Sequence, residues 1–249
     1  MQSGTVKNEM ADNVTPVRML SITMPVYNEQ AVIEQVVMDH VEAVERLGDT
    51  LPEWEIVCVD DGSKDRTPEI LRGLEKRLPQ LRVVRQENQG IFGAITRGYR
   101  EARGSHIFAT GSDGQWPAAN LALLLEPALA GADLVIGVRS NRREVYTPAR
   151  RVISMAYNLL PRILFGVRVE DAGSNKLGVR EVFEYPLISR SVFFEAERII
   201  VAQRKGRRVE FVPIRFLARA EGKAMGASAK NVRNSMVDLV RCLGKYGLR

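Results

Sequence analysis

The stretch WEIVCVDDGSKDRT, residues 54–67, decides the fold. Residues 55–59 form a short β-rich run without Gly or Pro, and the run stops at Asp60, Asp61, Gly62 and Ser63. An apolar strand that ends in carboxylates and a turn is how an open α/β sheet presents polar groups to a ligand, at the carboxyl ends of its strands. Ser63 or Asp65 then offers an N-cap, and Pro68, Glu69, Ile70, Leu71 and Leu74 continue as an amphipathic helix. One of the two adjacent carboxylates suits a capping role, whereas the pair together suits ligand contact.

Working outward, residues 18–25 read as a first strand ended by Pro25, and Tyr27, Asn28 and Glu29 turn into a helix over roughly residues 29–47. Strand, turn, helix is thus repeated, which implies a parallel sheet with right-handed crossovers. Further strands are expected at 81–84, 105–110 and 133–138, and helices at 120–129 and 150–165, with a Gly-rich turn entering a helix at 88–98. From Asp171 the pattern becomes α+β: a loop, a helix at 194–205, a strand at 208–216, a basic loop at 219–229 and a last helix. The expected architecture is α/β, a Rossmann-like, mostly parallel central sheet with flanking helices and a C-terminal amphipathic helix. Residues 1–16 read as a flexible arm, 17–229 as one domain and 230–249 as the terminal helix.

The 249 residues, 45% of them hydrophobic, suffice to bury one full core. Cys58 and Cys242 are far apart and Cys58 sits inside an apolar strand, which argues against a disulfide framework or a zinc site. No run approaches the roughly 20 apolar residues of a spanning helix, and the polar N-terminus has no signal-peptide core, so a cytoplasmic protein, soluble or peripheral to a membrane, is expected. The net charge of +6 favours an anionic partner. It is concentrated in residues 200–249, where twelve Lys and Arg face three acidic residues. Nucleic acid is disfavoured, because those charges are not interleaved with stacking aromatics. In the last helix Val232, Met236, Leu239, Val240 and Leu243 share a face while Lys230, Arg233, Arg241 and Lys245 lie elsewhere, a pattern that suits either an anionic membrane surface or packing on the sheet.

Three strand ends, at 25–29, 60–63 and 111–115, should meet along one edge of the sheet. Neither GxGxxG after the first strand nor GxxxxGK[ST] is present, so a dinucleotide fingerprint and a Walker loop are excluded. Carboxylates at a nucleotide site without a phosphate loop serve as acceptors for base and ribose and as oxygen ligands of a hard divalent cation. His40 and His106 are isolated and receive no function.

The ordered set MPVYNE (24–29), VDDGS (59–63), the Gly-rich helix start at 88–98, SDGQWP (112–117) and IGVR (136–139) resembles the family 2 glycosyltransferases of GT-A fold. Downstream, DAGSNKL (171–177), FFEAE (193–197), VEFVPIRF (209–216) and RAEGKA (219–224) resemble the dolichyl-phosphate or polyprenyl-phosphate mannosyltransferase branch. The resemblance implies that Pro25, Tyr27 and Glu29 meet base and ribose and that Asp61 or Asp60 contacts the nucleoside. Gly93, Ser112 and Asp113 complete the donor set. Asp113 and Gln115 match the later positions of the family's D-x-D-x-Q metal loop, implying Mg²⁺ or Mn²⁺. Gly111 stands where the first Asp is expected, so cation affinity should fall or the diphosphate must supply more of the ligands. Arg139, Arg150, Arg151, Ser174 and Arg219 are the candidates for the departing diphosphate or the acceptor phosphate.

The expected activity is inverting transfer of a hexose from a nucleoside diphosphate sugar, mannose from GDP-mannose first, to a polyprenyl-phosphate-type acceptor. A phosphate acceptor needs no general base; a hydroxyl acceptor needs one, for which Asp171 is the candidate. Two rival readings are the same donor chemistry on a soluble hydroxyl acceptor and a nucleotide-sugar binding protein without turnover, the latter motivated by Gly111. Membrane-surface contact and a homodimer are further partner expectations.

Overall fold

The computed structural model describes residues 15–51, 53–141, 148–217 and 229–247; for 148–154, 156 and 229–231 it describes the helical backbone alone. The elements are β1 (Leu20–Val26), α1 (Ile33–Glu45), β2 (Trp54–Asp60), α2 (Thr67–Glu75), β3 (Leu81–Arg85), α3 (Gly90–Glu101), β4 (His106–Ala109), α4 (Asn120–Leu129), β5 (Leu134–Arg139), α5 (Pro148–Phe165), β6 (Lys176–Val179), α6 (Arg180–Phe183), α7 (Phe194–Arg204), β7 (Val209–Ile214) and α8 (Ala229–Tyr246).

The strands form one sheet in the order β3-β2-β1-β4-β6-β5-β7. All neighbours are parallel except β6, which runs antiparallel to both β4 and β5. Alternation along β1 sets the two faces: Leu20, Ile22, Met24 and Val26 pack with α1, α2 and α4, whereas Thr23 meets α3 at Gly98, where a Cβ would lie 3.4 Å from the Thr23 Cβ. The second core layer joins Tyr99, Ile107, Leu134 and Ile136 to α5, α7 and Leu239 and Cys242 of α8. The expected α/β sandwich is therefore present, and its sheet places the ends of β1, β2, β4 and β5 on one edge.

Three local expectations are corrected. The stretch expected as a loop from Asp171 contains β6, an antiparallel strand inserted between β4 and β5. The first helix begins at Ile33 rather than near residue 29, because the preceding residues are tied to the β2 loop, with Asn28 at φ 55°. The apolar stripe of α8 divides: Leu239 and Cys242 are buried, while Val232, Met236, Val237 and Val240 are exposed. Both cysteines are free and buried, and His40 and His106 are buried core residues.

Candidate active site

The loops after β1 and β2 are laced together by five hydrogen bonds. The Asn28, Glu29 and Gln30 amides donate to Ser63 Oγ (3.0 Å), Thr67 Oγ1 (2.9 Å) and Asp65 Oδ2 (3.2 Å). In return the Lys64 and Arg66 amides donate to Asn28 Oδ1 (2.8 Å) and Gln30 Oε1 (3.0 Å). Neither Asp60 nor Asp61 caps α2. Asp65, just ahead of the helix, accepts the amide of its first residue, Thr67, at 3.0 Å. Asp60 instead closes its own turn, accepting the Ser63 amide at 2.9 Å, and its second oxygen lies 3.6 Å from Arg85 Nε. Asp61 accepts from Gln86 Nε2 (2.7 Å) and the Gln89 amide (2.8 Å), which fixes a buried carboxylate beside the start of α3. Gly93 belongs to the same corner: a Cβ there would lie 2.5 Å from the Gln89 Cβ, so only Gly lets that side chain fold over the helix start. Tyr27 is exposed.

Beside this corner opens a cavity of about 430 Å³. Of the residues expected at the site, Pro25, Asp113, Arg139, Asp171 and Ser174 line it, while Tyr27, Glu29, Asp60, Asp61, Gly93, Ser112 and Gln115 do not. Ser112 donates to the Pro25 carbonyl (2.7 Å) and so pins the β4 loop to the end of β1. Asp113 accepts the Gln115 amide (3.1 Å), and Gln115 donates to the Leu217 carbonyl (3.1 Å). The side chains of Arg150 and Arg151, and Arg219 altogether, lie outside the described residues.

Gly111 is explained by its neighbour. A Cβ at this position would lie 2.8 Å from Trp116 Cδ1 and 2.9 Å from Nε1, so the indole edge occupies the space that a carboxylate-bearing residue would need. Trp116 in turn packs edge-on against Phe216 (4.6 Å between centroids), and the Arg139 guanidinium carbon lies 5.4 Å and 5.1 Å from the two rings. Among the described residues no group of three or more His, Cys, Asp or Glu could hold a metal ion. A divalent cation here would find in Asp113 by carboxylate and Gln115 by amide oxygen only minority ligands, leaving the rest of the shell to a substrate diphosphate and water.

Arg139, partly buried, pairs with the buried Asp171. Arg139 Nε lies 2.9 Å from each Asp171 oxygen, the Arg139 amide donates to Oδ2 at 2.8 Å, and an Nη2 bond to Oδ1 completes the fork. Asp171 adopts φ 48°, a left-handed conformation that Asp tolerates better than most residues. Deeper in the cavity lie residues to which no role was given from the sequence: Lys176 on β6, Glu195 on α7 and Tyr99 on α3. The available signals were a lysine inside the apolar NKLGV and a carboxylate in FFEAE. Glu197 of that motif accepts the Ile188 (2.9 Å) and Ser189 (2.8 Å) amides and the Tyr246 hydroxyl (2.6 Å).

A family model described as glycosyl transferase family 2 matches residues 21–185. An undecaprenyl-phosphate 4-deoxy-4-formamido-L-arabinose transferase of Pseudomonas paraeruginosa is 31% identical over 239 residues, covering 94% of this chain and 68% of the relative. The protein of that name from Edwardsiella ictaluri is also 31% identical, covering 94% and 70%. Among solved structures, glucosyl-3-phosphoglycerate synthase from Mycobacterium tuberculosis, in complex with Mn²⁺, UDP and phosphoglyceric acid, shares the fold with a TM-score of 0.67 at 20% identity, covering 93% of this chain and 80% of that one.

Proposed function

Since the chain belongs to glycosyl transferase family 2, we propose that it transfers a sugar from a nucleoside diphosphate sugar to a polyprenyl phosphate, with inversion at the anomeric carbon. The observation that carries the acceptor choice is the Arg139–Asp171 pair. A hydroxyl acceptor would require a carboxylate to take its proton, but Asp171 is engaged on both oxygens by Arg139. A phosphate acceptor is largely ionised at neutral pH, its second pKa being about 6, and needs no base. The relatives' names agree with that acceptor.

In this reading Tyr27, Glu29 and Asp61 hold the nucleoside in the laced corner between β1 and β2, and Asp60 keeps that turn closed. Pro25, Gly93 and Ser112 shape the passage to the diphosphate. Asp113 and Gln115 hold a divalent cation, Mg²⁺ or Mn²⁺, together with the diphosphate; the cation supplies positive charge to the leaving group. Arg139, oriented by Asp171 and boxed by Trp116 and Phe216, presents its guanidinium toward the phosphates. Arg150, Arg151 and Arg219 remain candidates for the acceptor phosphate. Uridine joins guanosine as a candidate base, since a structural neighbour was solved with UDP.

The surface also suits a lipid acceptor. On α5, Met155, Leu159 and Ile163 are exposed at intervals of four, and on α8, which packs against it, Val232, Met236 and Val240 repeat the interval. Exposed Arg162, Arg233, Arg241 and Lys245 accompany these two apolar stripes. No helix among the described residues is long and apolar enough to cross a membrane, and paired stripes with basic residues fit interfacial contact. The remaining organisation is proposed as one catalytic domain over residues 17–229 carrying a C-terminal surface helix.

The test is calorimetric binding of UDP and GDP, free and as hexose conjugates, with Mg²⁺, Mn²⁺ or chelator. The reading expects selection of one base and tighter binding with metal. Absence of binding in every combination would remove the donor site.

A further inference from the structure

The inner end of the cavity has two properties that the donor reading leaves unused. First, Thr110 Oγ1 and Ser174 Oγ are buried and have no hydrogen-bond partner among the described residues, although both residues line the cavity and both are more than nine-tenths buried. A buried hydroxyl without a partner costs on the order of 1–3 kcal/mol, so two of them on one cavity wall call for a polar ligand. Second, the wall carries an unbalanced ionic cluster. Glu195 accepts from the Tyr99 hydroxyl (2.8 Å) and faces two cations, Lys176 Nζ at 3.5 Å and Arg198 Nε at 3.4 Å, all of them buried. Asp171 also attracts Lys176, but its carboxylate is paired with Arg139, itself a third cation. Arg198 is turned away into Tyr99, Phe183 and the Val182 carbonyl. Lys176 spends one donor on the Ser174 carbonyl (2.9 Å) and turns a second to Glu195, and an ammonium has three. Burial holds the Lys176 ammonium below the ordinary lysine range, reinforced by Arg198 and opposed by Glu195 and Asp171. Ile91, Ala94, Ile95 and Phe194 supply apolar walls around these polar groups.

Asp113 and Pro25 stand with them around the same cavity, so a donor whose nucleoside lies at Asp61 and whose diphosphate lies at Asp113 would direct its sugar inward. We infer that this inner chamber receives the hexosyl group of the donor, that Thr110 and Ser174 hydrogen-bond its hydroxyls, and that Lys176 selects for a sugar presenting oxygen acceptors and against one carrying a cationic amine. Ser174 is thereby assigned to the sugar rather than to the acceptor phosphate. The inference rests on the donor reading above and adds to it a specificity determinant.

The experiment compares calorimetric affinities for UDP and GDP, each bare, carrying a neutral hexose, or carrying glucosamine, at a pH that keeps the amine protonated. The neutral conjugates are expected to bind at least as tightly as the bare nucleotide, and the glucosamine conjugate at least tenfold more weakly than the neutral one. In Lys176→Met the discrimination should shrink below threefold. Thr110→Val and Ser174→Ala should weaken the neutral conjugates several-fold, leave bare nucleotide unchanged, and leave the unfolding temperature equal or higher, since each removes an unpaired buried hydroxyl. These two variants decide the matter if Lys176→Met does not fold. Equal affinity for the amino and neutral sugars in the unmodified protein, or hydroxyl variants without effect on conjugate binding, would overturn the inference while bare-nucleotide binding keeps the donor reading intact. Loss of bare-nucleotide binding in the unmodified protein would overturn both.

Discussion

Arg139 Nε sits 2.9 Å from both carboxylate oxygens of Asp171, across 32 residues of sequence, and the Arg139 amide donates to the same carboxylate. The pair ties the end of β5 to the turn before β6 on the wall of the cavity. Asp171→Asn keeps the left-handed backbone accessible but removes the charge that fixes the guanidinium. Transfer should fall about a hundredfold, the order expected when a charged group is misplaced by about 1 Å. Arg139→Lys, which loses the fork, should fall as far, and the double variant little further, because the two act as one unit. Single-turnover rates check this; independent, additive losses would dissolve the pair as a functional unit.

Gly111 and Trp116 should be coupled in the same sense. Gly111→Asp alone forces a Cβ against the indole edge and should destabilise by about 1–3 kcal/mol, the ordinary cost of overpacking, with little gain in Mn²⁺ affinity. Gly111→Asp with Trp116→Ala should recover stability relative to the sum of the single changes and bind Mn²⁺ more tightly in the absence of nucleotide. Denaturant titration and metal titration of the four proteins read the cycle; an unstrained, metal-tight Gly111→Asp protein would show that the indole is no obstacle.

Acid should weaken the fold through His106. It is fully buried on β4, with Nδ1 3.2 Å from Ser105 Oγ and no partner for Nε2 among the described residues, and burial pushes its pKa down to about 4 against a raising influence from Asp133. Above about pH 6.5, the ordinary histidine value, the ring is neutral in folded and unfolded chains alike. As pH falls from there to about 4 the unfolded chain takes a proton that the folded chain refuses, so stability is lost by up to about 1.4 kcal/mol per pH unit, and the loss ends below the folded value. Buried His40, also lowered by burial against raising influences from the Val36 carbonyl and Asp39, acts in the same direction. Urea unfolding at pH 7 and pH 5 should show a smaller difference for His106→Leu than for the unmodified protein; identical differences would exclude His106 as a contributor.

The paired stripes on α5 and α8 predict a surface effect separable from the donor site. Met155→Glu or Val240→Glu should reduce sedimentation with vesicles containing anionic lipid about tenfold or more, with nucleotide affinity unchanged. Raised salt should weaken the same binding, since each near-surface Lys or Arg contributes about 1 kcal/mol. Unaltered vesicle binding in both variants would place membrane contact elsewhere.

The order of strands and helices through residue 165 was legible because each βα unit carries its own punctuation: an apolar run, a polar turn at the strand end, then helical periodicity. β6 was not, because its four residues include a lysine and a glycine. Gly178 is needed where the backbone runs close to β5, since a Cβ there would lie 2.5 Å from the Asp133 carbonyl, and no periodicity records that. The motif residues were visible singly, but their relations were not. Nothing local announces that Asp171 grips Arg139, that Trp116 fills the space beside Gly111, or that Lys176 and Glu195 meet across β6 and α7. Such contacts depend on the crossovers that bring distant segments together, and among them are the groups that give the cavity its charge.

The most direct test of the central claim is product formation with a labelled nucleotide sugar, selected by binding, and a short-chain polyprenyl phosphate, the anomeric configuration of the product being read by NMR. The expected product is a polyprenyl-phosphate-linked sugar of inverted configuration, formed with metal and lost in Asp113→Ala. Tight donor binding with no lipid-linked product, or transfer only to a hydroxyl acceptor, would contradict the central claim.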